Sequence, residues 1–201
     1  MEWEGEFEPD LFGNAKPTLL SGFSQHRSYF GLVPPPRVAQ ELERDARTWA
    51  REARATRATP ASQFHVSLNG ISEGEPMAPE LLEDALEIGA AIRRARFEII
   101  FDVLQTWDKN KRRNFPTVLC CSSSSRGALE LYEVLRREMR RYGIKSPSSF
   151  NPHITLFYSD GRVRTRSVAR PVRLWVDAFW LIHSVVGTGR LEHLARWPLG
   201  F

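Results

Sequence analysis

His65-Val66-Ser67-Leu68 and His153-Ile154-Thr155-Leu156 are one phrase written twice: a histidine, an apolar residue, a hydroxyl residue and a leucine. Alternation of this kind predicts a half-buried strand, because residues i and i+2 leave a strand on the same face. His65 and Ser67 then share one face, with Val66 and Leu68 on the other. His153 and Thr155 stand in the same way against Ile154 and Leu156. A single His-x-Ser carries little weight, since His26-Arg27-Ser28 also matches it without an apolar second position. The full phrase after two of the five histidines is expected by chance roughly once in a few thousand sequences.

The flanks of the two copies match as well. Before the first, Ser28 to Val33 reads as a strand. Pro34-Pro35-Pro36 ends it and starts a helix, since proline suits the first helical turn. Val38, Leu42, Ala46, Trp49 and Ala53 then repeat at helical spacing to about Arg54. Before the second copy, Thr117 to Cys121 reads as a strand. A serine near Ser125 caps a helix whose apolar side is Ala128, Leu131, Leu135, Met139 and Tyr142, ended by Gly143. Between the two units the spacing predicts a loop over 70–79, a helix from Pro79 to Ala95 and a strand from Arg96 to Trp107. After them it predicts one strand from about Leu174 to Val186, a Gly187-Thr188-Gly189 turn, and a last strand from Leu191 to Trp197.

Strand, helix, proline-containing loop and histidine strand thus occur twice, as in a diverged duplication. The pattern predicts an α+β fold: two pseudo-symmetric antiparallel or mixed sheets line a cleft, with helices on the outside. Residues 1–26 are expected to be an acidic extension with little structure of its own, and 27–201 a single bilobal domain.

Composition narrows the class of partner. The formal charge is +4, and Glu2, Glu4, Glu6, Glu8 and Asp10 leave the excess of Lys and Arg to the rest of the chain. Basic groups cluster at Lys109-Lys111-Arg112-Arg113, at Arg136-Arg137-Arg140-Arg141, and at Arg162-Arg164-Arg166-Arg170-Arg173. Such patches fit a phosphate-bearing partner, although each taken alone is an ordinary solvated surface. No apolar run approaches a membrane span, and the acidic start lacks a signal-peptide pattern. The expectation is a cytoplasmic monomer that binds no membrane. Cys120 and Cys121 are adjacent, which suits neither a staple nor a zinc site.

Two histidines across a cleft suit acid–base catalysis near neutral pH: one imidazole takes a proton from water, the other gives one to a leaving alkoxide. Hydroxyls two residues on can hold the non-bridging oxygens of a phosphate as charge grows in the transition state. This chemistry calls for no metal and no cofactor. The acidic residues do not cluster as cation ligands, and there is no P-loop or kinase signature.

At these residues the chain resembles the 2H phosphoesterase superfamily, and most closely its 2′-5′ RNA ligase and RNA 2′,3′-cyclic phosphodiesterase branch. Three further stretches carry the resemblance: Tyr29-Phe30-Gly31-Leu32-Val33-Pro34-Pro35-Pro36, Leu181-Ile182-His183-Ser184, and Gly189-Arg190-Leu191-Glu192 with Arg196-Trp197-Pro198-Leu199. It covers about residues 27 to 199.

The resemblance implies a bilobal fold and the opening of a 2′,3′-cyclic phosphate, on an RNA end or a small nucleotide, to a 2′-phosphate. It implies His65 as proton donor, His153 as proton acceptor, and Ser67 and Thr155 as phosphate-binding groups. Many members of the family carry an arginine where Tyr158 stands. Tyr158 and Tyr29 are candidate substrate contacts, Tyr29 equally a core residue. His183 and His193, in apolar strands, read as structural, and Trp175, Trp180 and Trp197 as core. A second reading is a nucleotide- or RNA-binding module that kept the cleft and lost turnover.

Overall fold

The computed structural model describes residues 25–55, 57–107, 114–123 and 125–200. The acidic head and the basic cluster at 109–113 lie outside them. In chain order the elements are β1 (His26–Leu32), α1 (Pro36–Glu52), a 3₁₀ turn (Ala61–Gln63), β2 (Val66–Gly74), α2 (Pro79–Ala91), β3 (Phe97–Thr106) and β4 (Phe115–Cys120). They continue with α3 (Arg126–Arg141), β5 (His153–Ser159), β6 (Arg166–Val176), β7 (Ala178–Val185) and β8 (Arg190–Pro198).

Local chemistry accounts for the helices. α1 and α2 each begin with a proline in the first turn, where a missing N–H costs nothing. α3 is capped by Ser125, whose hydroxyl accepts from the Ala128 amide. Ala39, Leu42, Ala46 and Ala50 of α1 are buried at helical spacing, as are Ala128, Leu131, Leu135 and Met139 of α3. Their opposite faces are charged. α1 ends in a left-handed turn: Arg54 has φ 52°, and the Ala55 amide reaches back to the Ala50 carbonyl at 2.8 Å. That is a Schellman-type reversal without glycine. α2 stops at Ala91, short of the expected Ala95.

The strands form two four-stranded antiparallel sheets, in the orders β2-β1-β7-β8 and β5-β4-β3-β6. The two orders correspond strand for strand. β1 and β4 each precede a helix and each pair with a histidine strand, β2 or β5, which lies at a sheet edge. The α+β architecture and the doubled plan read from the sequence are both present. Phe30, Leu32, Val66 and Leu68 of the first sheet share one core with Ile99, Phe101, Leu119, Ile154 and Leu156 of the second. Burying each such side chain contributes about 1.5–3 kcal/mol.

Three expectations are corrected. The stretch from Gly70 to Gly74 is strand, not loop, because its backbone bonds to β1 override the turn-prone composition. The apolar run across 174–186 is two strands, broken at Asp177: β6 belongs to the second sheet and β7 to the first. Trp175 is not core. Leu174 and Val176 point inward on β6, so the residue between them faces out, 56% exposed.

Four of the nine arginines in the remaining basic clusters pair with carboxylates. Arg136 pairs with Glu133, Arg141 with Glu138, Arg166 with Glu52 and Arg173 with Glu98. No helix among the described residues is long and apolar enough to cross a membrane.

Candidate active site

β2 and β5 are edge strands of different sheets, and they neighbour each other. The lead-in to β2 is bonded directly to β5: Ala58 bridges to Phe157, and the Thr59 amide donates to the Leu156 carbonyl at 2.7 Å. The two histidine phrases therefore sit on adjoining edges. Their alternation is as expected. Val66, Leu68, Ile154 and Leu156 are buried, while His65, Ser67, His153 and Thr155 are half-buried on the faces away from the core.

The two imidazoles are held in the same way. His65 Nδ1 lies 2.8 Å from the Gln63 carbonyl, and His153 Nδ1 lies 2.9 Å from the Asn151 carbonyl. A carbonyl only accepts, so each Nδ1 carries the hydrogen and proton exchange is left to Nε2. The 3₁₀ turn Ala61–Gln63 aims the first carbonyl. Gln63 is itself anchored, its side-chain amide donating to the Gly189 carbonyl at 2.8 Å. Anchoring through a backbone carbonyl two residues earlier leaves no side-chain signature, so sequence reasoning missed it.

Tyr29 is buried, 3% exposed, and offers no open face for stacking a base. Its hydroxyl lies 3.0 Å from His65 Nε2. Burial raises the Tyr29 phenol well above its ordinary range, opposed by the Arg27 guanidinium, so the group stays protonated. It donates to a neutral His65 and accepts from a charged one. Burial also lowers the pKa of His65; the hydrogen bond to Gln63 opposes this, and nearby His193 adds to it.

On the second sheet the Trp107 ring lies 4.3 Å from the His153 ring, centroid to centroid. Trp107 directly follows β3, and nothing in the periodicity marked it as part of the site. Beside His153 on the neighbouring strand, Cys120 is buried with its thiol bonded by Gln105, and burial pushes both Cys120 and Cys121 up to about 12. Neither thiol is a nucleophile at working pH.

Tyr158 stands on the opposite parity from His153 and would face the core in a regular strand. A register shift in the β4–β5 pairing intervenes: Thr155 pairs with Val118 but Phe157 with Thr117. Leu156 and Phe157 are consequently both buried, and Tyr158 turns outward, 50% exposed, onto the side of His153 and Thr155. β2 has an irregularity at the corresponding place, between its pairings to Tyr29 and Gly31. A bulge beside a site commonly re-aims a side chain in this way. Opposite Ser67, Gly31 allows close approach, since a Cβ there would meet Ile182 Cδ1 at 2.9 Å.

Of the other histidines, His193 is near enough to His65 to act on its charge, and His26 and His183 pair with each other. His183 Nε2 is 2.8 Å from His26 Nδ1, and the His193 ring packs against Trp180. Among the described residues no group of three or more His, Cys, Asp or Glu side chains is placed to hold a metal.

No protein-family model and no curated protein matches the sequence. Solved structures do match. A structure described as a phosphoesterase is 25% identical at TM-score 0.68, over 88% of this chain and 99% of that one. Escherichia coli LigT complexed with 3′-AMP is 24% identical at TM-score 0.66, over 88% and 99%. A Thermus thermophilus protein is 22% identical at TM-score 0.65, over 86% and 97%. The fold is that of the 2H phosphoesterases. A further match is Escherichia coli LigT complexed with phosphate, 23% identical at TM-score 0.64, over 89% and 99%.

Proposed function

We propose that the chain opens 2′,3′-cyclic phosphates, on RNA ends or small nucleotides, to 2′-phosphates by metal-independent histidine acid–base catalysis. The observation that carries the reading is the matched anchoring of His65 and His153 on adjoining edge strands, each with a hydroxyl residue two positions on. LigT structures complexed with phosphate and with 3′-AMP add support from the same fold.

In the proposed reaction His153 Nε2 takes a proton from water, and the water oxygen attacks phosphorus. The P–O3′ bond breaks in line with that attack, and His65 Nε2–H, exchanging its contact with the Tyr29 hydroxyl for the substrate, protonates the departing O3′. Ser67 and Thr155 hold the non-bridging oxygens, where negative charge grows. Without substrate, burial keeps His65 mostly neutral; a phosphodiester anion against Nε2 favours its protonated, donating form. With a 5′-hydroxyl in place of water, the same displacement joins RNA ends through a 2′-5′ linkage.

Replacing His65 or His153 with alanine is expected to slow cyclic phosphate opening by about a hundredfold or more. Full activity in either variant would overturn the assignment. Salt-sensitive binding without turnover in the unaltered protein would favour the binding-module reading.

A further inference from the structure

The reversal at the end of α1 builds a second basic feature, away from both histidines. Arg47, Ala50, Arg51, Ala55, Arg57 and Ala58 line a concavity of about 370 Å³. Its arginines come from two sources. Arg47 and Arg51 lie one turn apart on α1, about 6 Å along the axis. Arg57 is brought back beside them because Arg54 adopts the left-handed conformation.

The charge balance there is uneven. Arg47 is paired with Glu43. Among the described residues no carboxylate pairs with Arg51 or Arg57, whose only recorded polar side-chain contact is Arg51 on Thr48. Glu52, the acidic neighbour, is engaged by Arg166. The concavity is therefore net positive, and alanine contributes half of its lining residues. No aromatic lines it, so it offers guanidinium groups to phosphates and no ring on which bases would stack.

Its position relates it to the histidines. Ala58 bridges to Phe157 on β5, the strand that carries His153 and Thr155. At strand rise, Phe157 stands about 13 Å along from His153.

We propose that this groove binds the sugar–phosphate backbone of an RNA strand, independently of sequence, while the cyclic end of that strand occupies the histidine site. The inference rests on the proposed function and deepens it: the preferred substrate is an RNA end, and a free cyclic mononucleotide uses only part of the binding surface.

The test compares unaltered protein with the double variant Arg51→Ala/Arg57→Ala, using a labelled single-stranded octanucleotide that ends in a 2′,3′-cyclic phosphate. Affinity is read by fluorescence anisotropy across a salt series, and turnover is read separately on a cyclic mononucleotide. Loss of two phosphate contacts lowers the slope of log affinity against log salt by about 1.4 and weakens binding on the order of tenfold. Mononucleotide kcat/KM stays unchanged. Removing Arg37 and Arg44 from the same helix, outside the groove, leaves the slope near its original value. An unchanged slope in the Arg51/Arg57 variant, or an equal drop in the Arg37/Arg44 control, overturns the proposal. The function reading fails separately: a protein that turns over no cyclic phosphate but shows the slope change keeps the groove and loses the enzyme.

Discussion

The hydroxyl of Tyr29 is one oxygen with a measurable share in the proposed chemistry. Tyr29→Phe keeps the buried ring and removes the partner of His65 Nε2. A neutral hydrogen bond of this kind contributes about 0.5–1.5 kcal/mol, so the variant should open cyclic phosphates roughly two- to tenfold more slowly while remaining folded. Unchanged rate together with an unchanged His65 NMR titration would remove Tyr29 from the account.

His65 itself should titrate below the ordinary imidazole value of about 6.5, because burial disfavours its charged form. The sign for stability follows. Between its folded pKa and 6.5 the unfolded chain binds the extra proton, so the contribution of His65 is complete above about pH 6.5 and is lost as pH falls below it. Thermal scans should show stability declining through that window, and His65→Gln should flatten the decline. A decline of equal steepness in that variant contradicts the assignment. The histidines and hydroxyls could be read from the sequence because alternation alone places them. The tyrosine's role could not, since a strand core residue and a buried hydroxyl donor look the same in one dimension.

At the scale of elements, the packing of α2 depends on a glycine. A Cβ on Gly89 would lie 2.3 Å from the Trp197 ring. That ring cannot yield, being stacked on Phe179 at 5.1 Å and set edge-on to Phe30 at 5.9 Å. Gly89→Ala gains helix propensity, yet the overpacking outweighs it, for a net loss of about 1–2 kcal/mol. Calorimetry should find Tm lowered by about 2–8 °C; a higher Tm would mean that Trp197 is not seated on the helix as described. Helices and most strands were legible from their periods. The switch at Asp177 was not, because apolar alternation runs across it with no glycine or proline to punctuate two strands that go to different sheets. The outward turn of Tyr158 was equally hidden, since a bulge changes parity without changing composition.

For the molecule as a whole, the doubled plan of β1-α1-β2 and β4-α3-β5 was the most legible feature. Two copies of one phrase in similar surroundings constrain a fold more than either alone. How the halves meet was not legible: the Ala58–Phe157 bridge joins residues far apart in sequence that share no motif. The central claim is that the adjoining edges of β2 and β5 form one acid–base site for cyclic phosphate opening. The most direct measurement incubates the protein, with EDTA present, with nucleoside 2′,3′-cyclic phosphates and an RNA ending in one, and identifies the product isomer. The account predicts a 2′-phosphate that disappears in both His65→Ala and His153→Ala. A 3′-phosphate, or a 2′-phosphate that persists in either variant, would contradict it.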